Sequence, residues 1–406
     1  MRISIRGIKL AAFLCFCGIF VTSSALRSLI IPYSSALYKF DLLTYIGFFL
    51  VIYFDRKLSY ESAEFFHKDA VVFYAFAVFI IAFIFTLNGT WRYWYGGFIS
   101  IVLPSIIIFY KFYNKYFFWD FFEVFIVFLR IAVIVIYIGI VIDVVNGFIF
   151  SKTIAVLSGN YYLVRMAMYY KRTVTFFGHP LFSTEILLAF YVFNHIYVSL
   201  IGKKDGVIPF VLAGVGIAFC QSKTGIALIL IAFILFNINI DHVVTIISAV
   251  LFGYVLYHMG LFDGVISRFT IDLAQGDITS GRNSLLKKYL SNGLLDFHLL
   301  EGHPYNPRVV TPLEYPILRW AYLMGGISAV LLMFMYFIIP MIKLIHCHKR
   351  DILIAFVIIS VDVNTYSSLG DSGNYPIFFC ILVCILLNLG YFYDDFTCLR
   401  ERGNKE

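Results

Sequence analysis

The sequence carries little charge for its length. Asp, Glu, Lys and Arg make up 14% of its 406 residues, whereas soluble globular proteins contain about 25%. This deficit argues against a soluble globular domain. The sequence also lacks the strict alternation of polar and apolar residues that a transmembrane β-barrel requires. That class is therefore excluded, and the fold must follow from the continuous apolar runs.

Cysteine is missing from the two longest polar segments, residues 146–178 and 261–313. Neither a disulfide framework nor a cysteine metal site is predicted there. The same segments contain no DxD-type or His/carboxylate constellation, so we expect no metal and no other cofactor. The chain also shows no internal repeat. Its seven cysteines are Cys15, Cys17, Cys220, Cys347, Cys380, Cys384 and Cys398.

What the chain has instead is long apolar runs. Hydrophobic residues make up 61% of it, and roughly 20 apolar residues are enough to cross a bilayer as a helix. The runs predict an all-α integral membrane protein, with about 12 transmembrane helices in a single polytopic domain covering residues 1–406. The predicted spans are 8–26, 37–54, 69–87, 94–110, 121–145, 179–200, 206–221, 225–238, 242–260, 314–340, 351–367 and 376–393.

Basic residues flank these predicted spans in alternation. Cytoplasmic loops are enriched in Lys and Arg, so the pattern places both termini in the cytoplasm. The first apolar run has no evident cleavage site after it and is predicted to be a span rather than a signal peptide. The flanking basic residues are Arg2, Arg6, Lys9, Arg56, Lys57, Lys111, Lys115, Lys203, Lys204, Lys343, Lys349, Arg350, Arg400, Arg402 and Lys405.

Two long loops, 146–178 and 261–313, then fall on the outer side, and both are basic. Long loops are translocated largely regardless of their charge, so this charge predicts an anionic ligand on the outer face. Anionic lipid headgroups are an alternative ligand. The basic residues are Lys152, Arg165, Lys171 and Arg172 in the first loop, and Arg268, Arg282, Lys287, Lys288 and Arg308 in the second.

The first outer loop contains a helical pattern over Asn160–Arg172. Arg165 and Arg172 are seven residues apart and would face the same side of such a helix. Two guanidinium groups at the membrane surface would bind either general anionic lipid or a specific phosphorylated substrate. The pattern leaves both ligands open.

Four short motifs follow one another along the predicted outer face. They are FGHPLFSTE with His179 and Glu185, SKTG with Lys223, SGRNSLLKKYL with Arg282, and TPLEYPILRWAYLMGGI with Glu314 and Arg319. Polar side chains at a span are costly unless they face a cavity, so His179 and Glu185 are candidate site residues. In this order, over residues 170–335, the motifs resemble the bacterial O-antigen polymerase and O-antigen ligase superfamily.

The resemblance implies a glycosyltransferase of the bacterial plasma (inner) membrane. Its substrate would be an undecaprenyl-diphosphate-linked oligosaccharide, and it would need neither a metal nor a nucleotide sugar. Arg282 stands where the family has its outer-loop arginine, and Lys223 replaces an arginine in the turn. Arg165 or Arg172 would be the basic residue of the other loop. Membrane lipids and a chain-length regulator are the other expected partners; nucleic acid is not expected.

One position departs from the ligase pattern. Ligases have a histidine eleven residues before a glycine, whereas the residue eleven before Gly325 is Glu314. This favours a polymerase of O-antigen, capsule or exopolysaccharide repeat units over a ligase that transfers the finished glycan. A flippase or transporter of the same lipid-linked unit is a third alternative. Transporters often show internal repeats and charges at the midplane, so the outward clustering of charge favours an enzyme.

The implied reaction breaks the bond between an anomeric carbon and the lipid diphosphate. It needs cations for the leaving group and a base for the attacking hydroxyl. Arginine binds phosphate oxygens bidentately and stays charged, so Arg282 and Arg319 are predicted to stabilise the diphosphate. Arg319 could instead extend outward to water. Further substrate-binding candidates are Arg165, Arg172, Lys223, Arg308, His179, Glu185 and His303.

Glu314 is the predicted base. Thr311–Glu314 also fits a capping box with Pro312 at the first helical position, which would give Glu314 a purely structural role. The reserve bases are Glu185, His298, Glu301 and His303. Lys287 and Lys288 are predicted to lie on a solvated face.

Overall fold

The computed structural model describes residues 2–20, 41–57, 68–157, 161–203, 206–237, 282–304, 306–310, 313–366, 368–370 and 374–403, with residues 266, 270 and 274. The predicted span 242–260, and Arg268, Ser280 and Gly281 of the second loop, lie outside these residues. The regular secondary structure of these residues is helical, as predicted, and they contain no strand.

The helices follow the apolar runs, and each one begins or ends at polar or glycine residues. The first half comprises α1 (Arg2–Phe20), α2 (Leu42–Arg56), α3 (Lys68–Leu87), α4 (Trp91–Gly97), α5 (Lys115–Asn146), α6 (Ile149–Leu157), α7 (Tyr161–Tyr170) and α8 (Pro180–Leu200). A π turn (Phe98–Val102) and a 3₁₀ turn (Leu103–Phe109) follow α4.

The second half comprises α9 (Val207–Phe219), α10 (Lys223–Phe236), α11 (Arg282–Ser291), α12 (Pro307–Val310), α13 (Pro316–Met324), α14 (Gly326–Met333), α15 (Ile339–His346), α16 (Arg350–Val363) and α17 (Asn374–Gly403). A π turn (Phe334–Ile338) joins α14 to α15, and a 3₁₀ turn (Ser368–Gly370) lies between α16 and α17.

Five helical stretches of the described chain are long and apolar enough to cross a membrane. They are Asp69–Leu87, Lys115–Asn146, Pro180–Leu200, Gly326–His346 and Tyr375–Phe396. Four of them match predicted spans. The helices at four other predicted spans are shorter: α2 has 15 residues, α9 has 13, and α10 and α16 have 14 each. The structure therefore supports a membrane protein, and the count of 12 spans remains a prediction.

The two most buried spans form the centre of the bundle. In α8 and α17, 83% and 89% of the apolar window is buried. At the periphery, α1 and α2 lie very close together because glycine replaces bulk where they meet. A Cβ at Gly18 would lie 2.1 Å from Oγ1 of Thr44, and a Cβ at Gly47 would lie 2.3 Å from the amide nitrogen of Cys15.

Many of the flanking basic residues meet at one end of the bundle, which we call the basic end. Their contacts are Lys9 Nζ to Asp120 Oδ1 (2.9 Å), Arg56 Nη2 to the Lys111 carbonyl (2.7 Å), Lys115 Nζ to Asp395 Oδ1 (2.8 Å) and Lys349 Nζ to Asp394 Oδ1 (2.5 Å). These bonds join helix ends that the sequence predicts to be cytoplasmic. The opposite end, which we call the site end, includes the bonds from Asn88 to the Leu300 carbonyl and from Arg282 to the Thr365 carbonyl.

The first long loop folds into α6 and α7 at the site end. Asp143, in the last turn of α5, accepts bonds from the backbone N–H of Ser151 (2.9 Å) and from its hydroxyl. The same hydroxyl oxygen accepts the backbone N–H of Val174 at 2.7 Å. These bonds tie the start and the end of the loop to the end of α5. The helix predicted over Asn160–Arg172 is present as α7, but it covers only Tyr161–Tyr170.

The predicted span 314–340 is wrong as one continuous helix. The chain breaks at Gly325, where φ is +88° and ψ is 154°, a backbone conformation that glycine adopts without steric cost. The candidate span begins only after the break, at Gly326. Helix α13 is therefore a separate element before the span, and its first residues are free to form part of a site.

The segment 294–303 packs over this break. The N–H groups of Gly326 and Ile327 donate to the carbonyls of His298 and Leu299, both at 2.9 Å. These bonds satisfy donors at the start of α14 that have no partner within the helix. A Cβ at Gly302 would lie 2.1 Å from the Leu323 carbonyl oxygen. The close packing here thus depends on glycine.

Candidate functional site

The candidate site is built around the turn between α16 and α17, which we call the 364–370 turn; residue 367 is outside the described part. Two distant elements donate hydrogen bonds to its backbone. Nη1 of Arg282, in α11, donates to the Thr365 carbonyl at 2.6 Å. Nε1 of Trp320, in α13, donates to the Leu369 carbonyl at 2.9 Å. The turn thereby fixes where α11 and α13 lie relative to the bundle.

Arg282 and Glu314 form an ion pair next to this turn. Nε of Arg282 lies 2.5 Å from Oε2 of Glu314, and the side chains are 25% and 31% exposed. The neighbouring residues add a second link, since the Tyr315 hydroxyl donates to Oδ1 of Asn283 at 3.2 Å. The residues predicted to hold the diphosphate and to act as base are therefore direct partners of one another.

Glu314 does not belong to the predicted capping box. Residues 313–315 are not helical, and α13 begins at Pro316 with Tyr315 at the N-cap, which makes no side-chain capping bond. Proline is favoured at the first helical position because it has no N–H to leave unbonded. The prediction that placed Pro312 there was wrong, since Pro316 takes that position. The described bond of Glu314 goes to Arg282 instead.

Arg319 lies in the first turn of α13 and is buried, with 4% of its surface exposed. It does not extend outward to water, so that alternative is wrong. Its side chain lies on the 364–370 turn: a Cβ at Gly370 would be 2.7 Å from Cδ of Arg319. Gly370 thus makes room for the guanidinium stem beside the turn. The structure brings Arg282 and Arg319 to the same short segment.

Two buried carboxylates lie on the other side of the turn. Oε2 of Glu185, in α8, accepts a hydrogen bond from the Tyr366 hydroxyl. Glu185 is 1% exposed and interacts electrostatically with Asp362, at the end of α16, which is 2% exposed. Oε1 of Glu185 and Oδ2 of Asp362 have no hydrogen-bond partner in the described part of the chain. Buried polar atoms without partners are costly and are frequent at functional sites.

His179 completes this side. It is the N-cap of α8, and its Nδ1 accepts the backbone N–H of Leu181 at 3.2 Å. Its ring is nearly parallel to that of Tyr366, with centroids 6.2 Å apart. Burial, and secondarily the positive charge of Arg172, lower the pKa of His179 from 6.5 to about 3. It is therefore neutral near pH 7 and carries its proton on Nε2.

The structure separates Arg165 and Arg172, which were predicted to face the same side of one helix. Arg172 lies beyond the end of α7 and is buried, where Nε donates to the Cys220 carbonyl at 2.6 Å. That prediction was wrong because α7 ends at Tyr170. Arg165 is exposed and lines a shallow surface pocket with Tyr169 and Tyr170.

Three predicted site residues remain: Lys223, His303 and Arg308. Lys223 is the first residue of α10, whose N-cap Ser222 accepts the Gly225 N–H at 3.1 Å. His303 holds the 294–303 segment in place: its N–H donates to the Tyr322 carbonyl at 2.9 Å, and its ring stacks on Tyr322. Arg308 lies in α12, and its side chain is outside the described part.

The sequence analysis missed Asp362, Thr365 and Tyr366. The available signal was the polar run DVNTYSS, which ends the apolar stretch 351–367 where a span should stay apolar. Within the described ranges, no three His, Cys, Asp or Glu side chains lie close enough together to hold a metal. A comparison of the chain with protein-family models, curated proteins and solved structures found no match.

Proposed function

We propose that this protein polymerises lipid-diphosphate-linked oligosaccharides at the outer face of a bacterial plasma membrane. One observation carries the proposal. Two arginines (Arg282 and Arg319) and two carboxylates (Glu185 and Glu314), from three separate parts of the chain, are positioned around the 364–370 turn. The motif resemblance in the sequence supplies the substrate class, undecaprenyl-diphosphate-linked repeat units.

The Arg282–Glu314 pair suggests how binding would prepare the reaction. A diphosphate can accept two parallel hydrogen bonds from the Arg282 guanidinium. It therefore competes with Glu314 for that group. Once the diphosphate holds the guanidinium, the freed Glu314 oxygen can accept a hydrogen bond from the acceptor hydroxyl instead. The substrate would thus generate its own base, and an empty site would keep Glu314 inactive.

The proposed chemical step is a substitution at the anomeric carbon. The hydroxyl oxygen of the acceptor glycan bonds to that carbon while the bond from carbon to the diphosphate oxygen breaks. The electron pair of the broken bond leaves on the diphosphate, stabilised by Arg282 and Arg319. The hydroxyl proton passes to the Glu314 carboxylate. Atoms and charge balance without a further reactant.

Two features favour a second candidate, a transporter of the same lipid-linked unit. The helix break at Gly325 and the buried carboxylates Glu185 and Asp362 are typical of transporters, which use discontinuous helices and buried charges. Reaction chemistry separates the two candidates, because a transporter moves the repeat unit without joining it to another.

The test uses purified protein in proteoliposomes with lipid-linked repeat units on the accessible face. A polymerase yields a ladder of lengthened glycans on a gel and releases the lipid diphosphate in step. Movement of the unit across the bilayer with no ladder would instead establish the transporter. A Glu314→Gln variant, matched in size and hydrogen-bonding reach, should bind the substrate and form no ladder.

A further inference from the structure

We propose that the segment 294–300 inserts its apolar side chains into the surface of the membrane at the site end. The inference concerns an interaction surface and is independent of the catalytic role proposed above. Its partner is the acyl-chain and headgroup boundary of the lipid bilayer. The argument has three steps: the level of the segment, its composition, and its rigidity.

Two spans fix the depth of the segment in the membrane. Nδ2 of Asn88, the residue directly after the span Asp69–Leu87, donates to the Leu300 carbonyl. The segment also accepts the first N–H groups of the span Gly326–His346, through the carbonyls of His298 and Leu299. One span ends at this segment and another begins there. The segment therefore lies where the hydrocarbon region meets the headgroups.

The segment presents apolar side chains away from the protein at that level. Leu299 is 73% exposed, Leu300 53% and Leu294 49%, and Phe297 is also exposed. Scattered exposed apolar residues are ordinary, but a contiguous group marks an interaction surface. Leu295 alone turns inward and is buried.

This apolar group continues the outward-facing surfaces of the spans it joins. Phe83 and Leu87 near the end of α3 are more than half exposed, and Val330 in α14 is 49% exposed. Helices α3 and α14 pack against each other. In a membrane these exposed faces contact lipid, so the 294–300 segment forms their upper edge. Because the segment continues the lipid-facing surface of the spans, we infer that it contacts the bilayer.

The charges of the segment also suit an interface. Nε2 of His298 lies 3.2 Å from Oδ2 of Asp296, and both side chains remain exposed. Polar groups in this position reach the headgroups while the leucines face the acyl chains, as in interfacial amphipathic segments. The carbonyls of the segment accept hydrogen bonds from the Asn88 side chain and from the N–H groups of Gly326 and Ile327. These bonds hold the segment in this orientation without the membrane.

A nitroxide label tests the proposal directly. It is attached to a Leu299→Cys variant, in which the exposed side chain can be replaced without opening the core. The control is Lys287→Cys, on the exposed face of α11. The partly exposed cysteines Cys17 and Cys347, together with Cys398, are first changed to serine. Protein is then reconstituted into vesicles, and label collisions with oxygen and with a nickel chelate are measured.

The expected result is opposite behaviour at the two sites. At position 299, collisions with oxygen, which dissolves in lipid, should exceed those with the water-soluble chelate several-fold. At position 287 the order should reverse. Equal access of the chelate to both sites overturns the proposal, as does magnetic broadening between labels, which would assign the surface to a second copy of the chain. A label at Leu294→Cys repeats the measurement if the first variant is poorly produced.

Discussion

Nε of Arg282 lies 2.5 Å from Oε2 of Glu314, while Nη1 of the same guanidinium donates to the Thr365 carbonyl at 2.6 Å. One side chain thus connects the second long loop, the segment before α13 and the turn before α17. A planar guanidinium holds two such bonds at a fixed angle, which an ammonium group does not reproduce. We therefore expect loss of Arg282 to affect the structure of the site as well as the proposed activity.

The first prediction concerns the guanidinium group at position 282. Arg282→Lys should lose most polymerase activity and Arg282→Ala nearly all, because neither keeps the paired bonds to a diphosphate. The readout is the ladder of polysaccharide lengths, with single repeat units accumulating in the variants. Lys287→Ala and Lys288→Ala are matched controls, since both side chains are exposed. A full ladder from Arg282→Ala at normal membrane levels would falsify the role of this residue and move it to Arg308 or Arg319.

The second prediction separates the ion pair from the rest of the site. Arg282→Ala, Glu314→Ala and the double variant form a thermodynamic cycle. Because both side chains are partly exposed, we expect a coupling of about 1 kcal/mol between them, so that the double variant is less destabilised than the sum of the single ones. Thermal unfolding in detergent provides the measurement. Strictly additive shifts would show that the pair does not contribute to stability.

The third prediction concerns the buried bond between Tyr366 and Glu185. Tyr366→Phe removes the hydroxyl and leaves the carboxylate buried without that donor, which should lower stability by about 1–3 kcal/mol. Tyr169→Phe is the control, because its ring is 79% exposed. The thermal midpoint in detergent should fall for the first variant and stay constant for the second. Equal midpoints would mean that water replaces the lost donor.

The fourth prediction concerns pH. The fold lowers the pKa of His179 from 6.5 to about 3, so protonation favours the unfolded chain. The resulting stability is complete above about pH 6.5 and declines as the pH falls from there toward 3. By pH 5 the loss of unfolding free energy should be about 2 kcal/mol. His179→Asn keeps an N-cap acceptor but does not titrate, and its stability should change less between pH 7 and pH 5. Identical pH slopes for both proteins would contradict the assignment.

The fifth prediction concerns topology. Reporter fusions near residues 160 and 290 should report the outer side, and fusions near 115, 203 and 347 the cytoplasm. In the structure, Lys115 and Lys349 belong to the basic end, while α11 contacts the site end. A cytoplasmic signal from either long loop would place the candidate site on the wrong side for the proposed reaction.

The sequence predicted the elements that depend on local composition. Four of the five long apolar stretches and helix α7 coincide with predicted segments, because apolar length and helical spacing are properties of neighbouring residues. For Arg282, Arg319 and Glu185 the sequence predicted only a common location on the outer side. It did not predict that they meet at one turn. Arg282 bonds to the Thr365 carbonyl and Arg319 packs against Gly370, and no side-chain pattern reveals such contacts with the backbone of a distant turn.

The errors share a physical cause. The break at Gly325 interrupts an apolar run, and the N–H groups after it are satisfied by carbonyls of the 294–303 segment. These hydrogen bonds come from a segment elsewhere in the chain, so the hydropathy of residues 314–340 does not predict them. The burial of Arg172 likewise depends on the Cys220 carbonyl, 48 positions away in the chain. Helical spacing predicted that Arg172 shares a helix face with Arg165, but α7 ends at Tyr170, before Arg172.

The bonds to the 364–370 turn also set an order of events during synthesis. Arg282 is followed by 83 positions before its acceptor Thr365 is made, and Glu185 is separated from Tyr366 by 181. The ribosome therefore releases the arginines and carboxylates of the site long before the segment that gathers them. A nascent chain that stops before this turn already carries Glu185, Arg282 and Arg319 but lacks the segment that they contact. The site therefore cannot assemble until residues 364–370 have been synthesised.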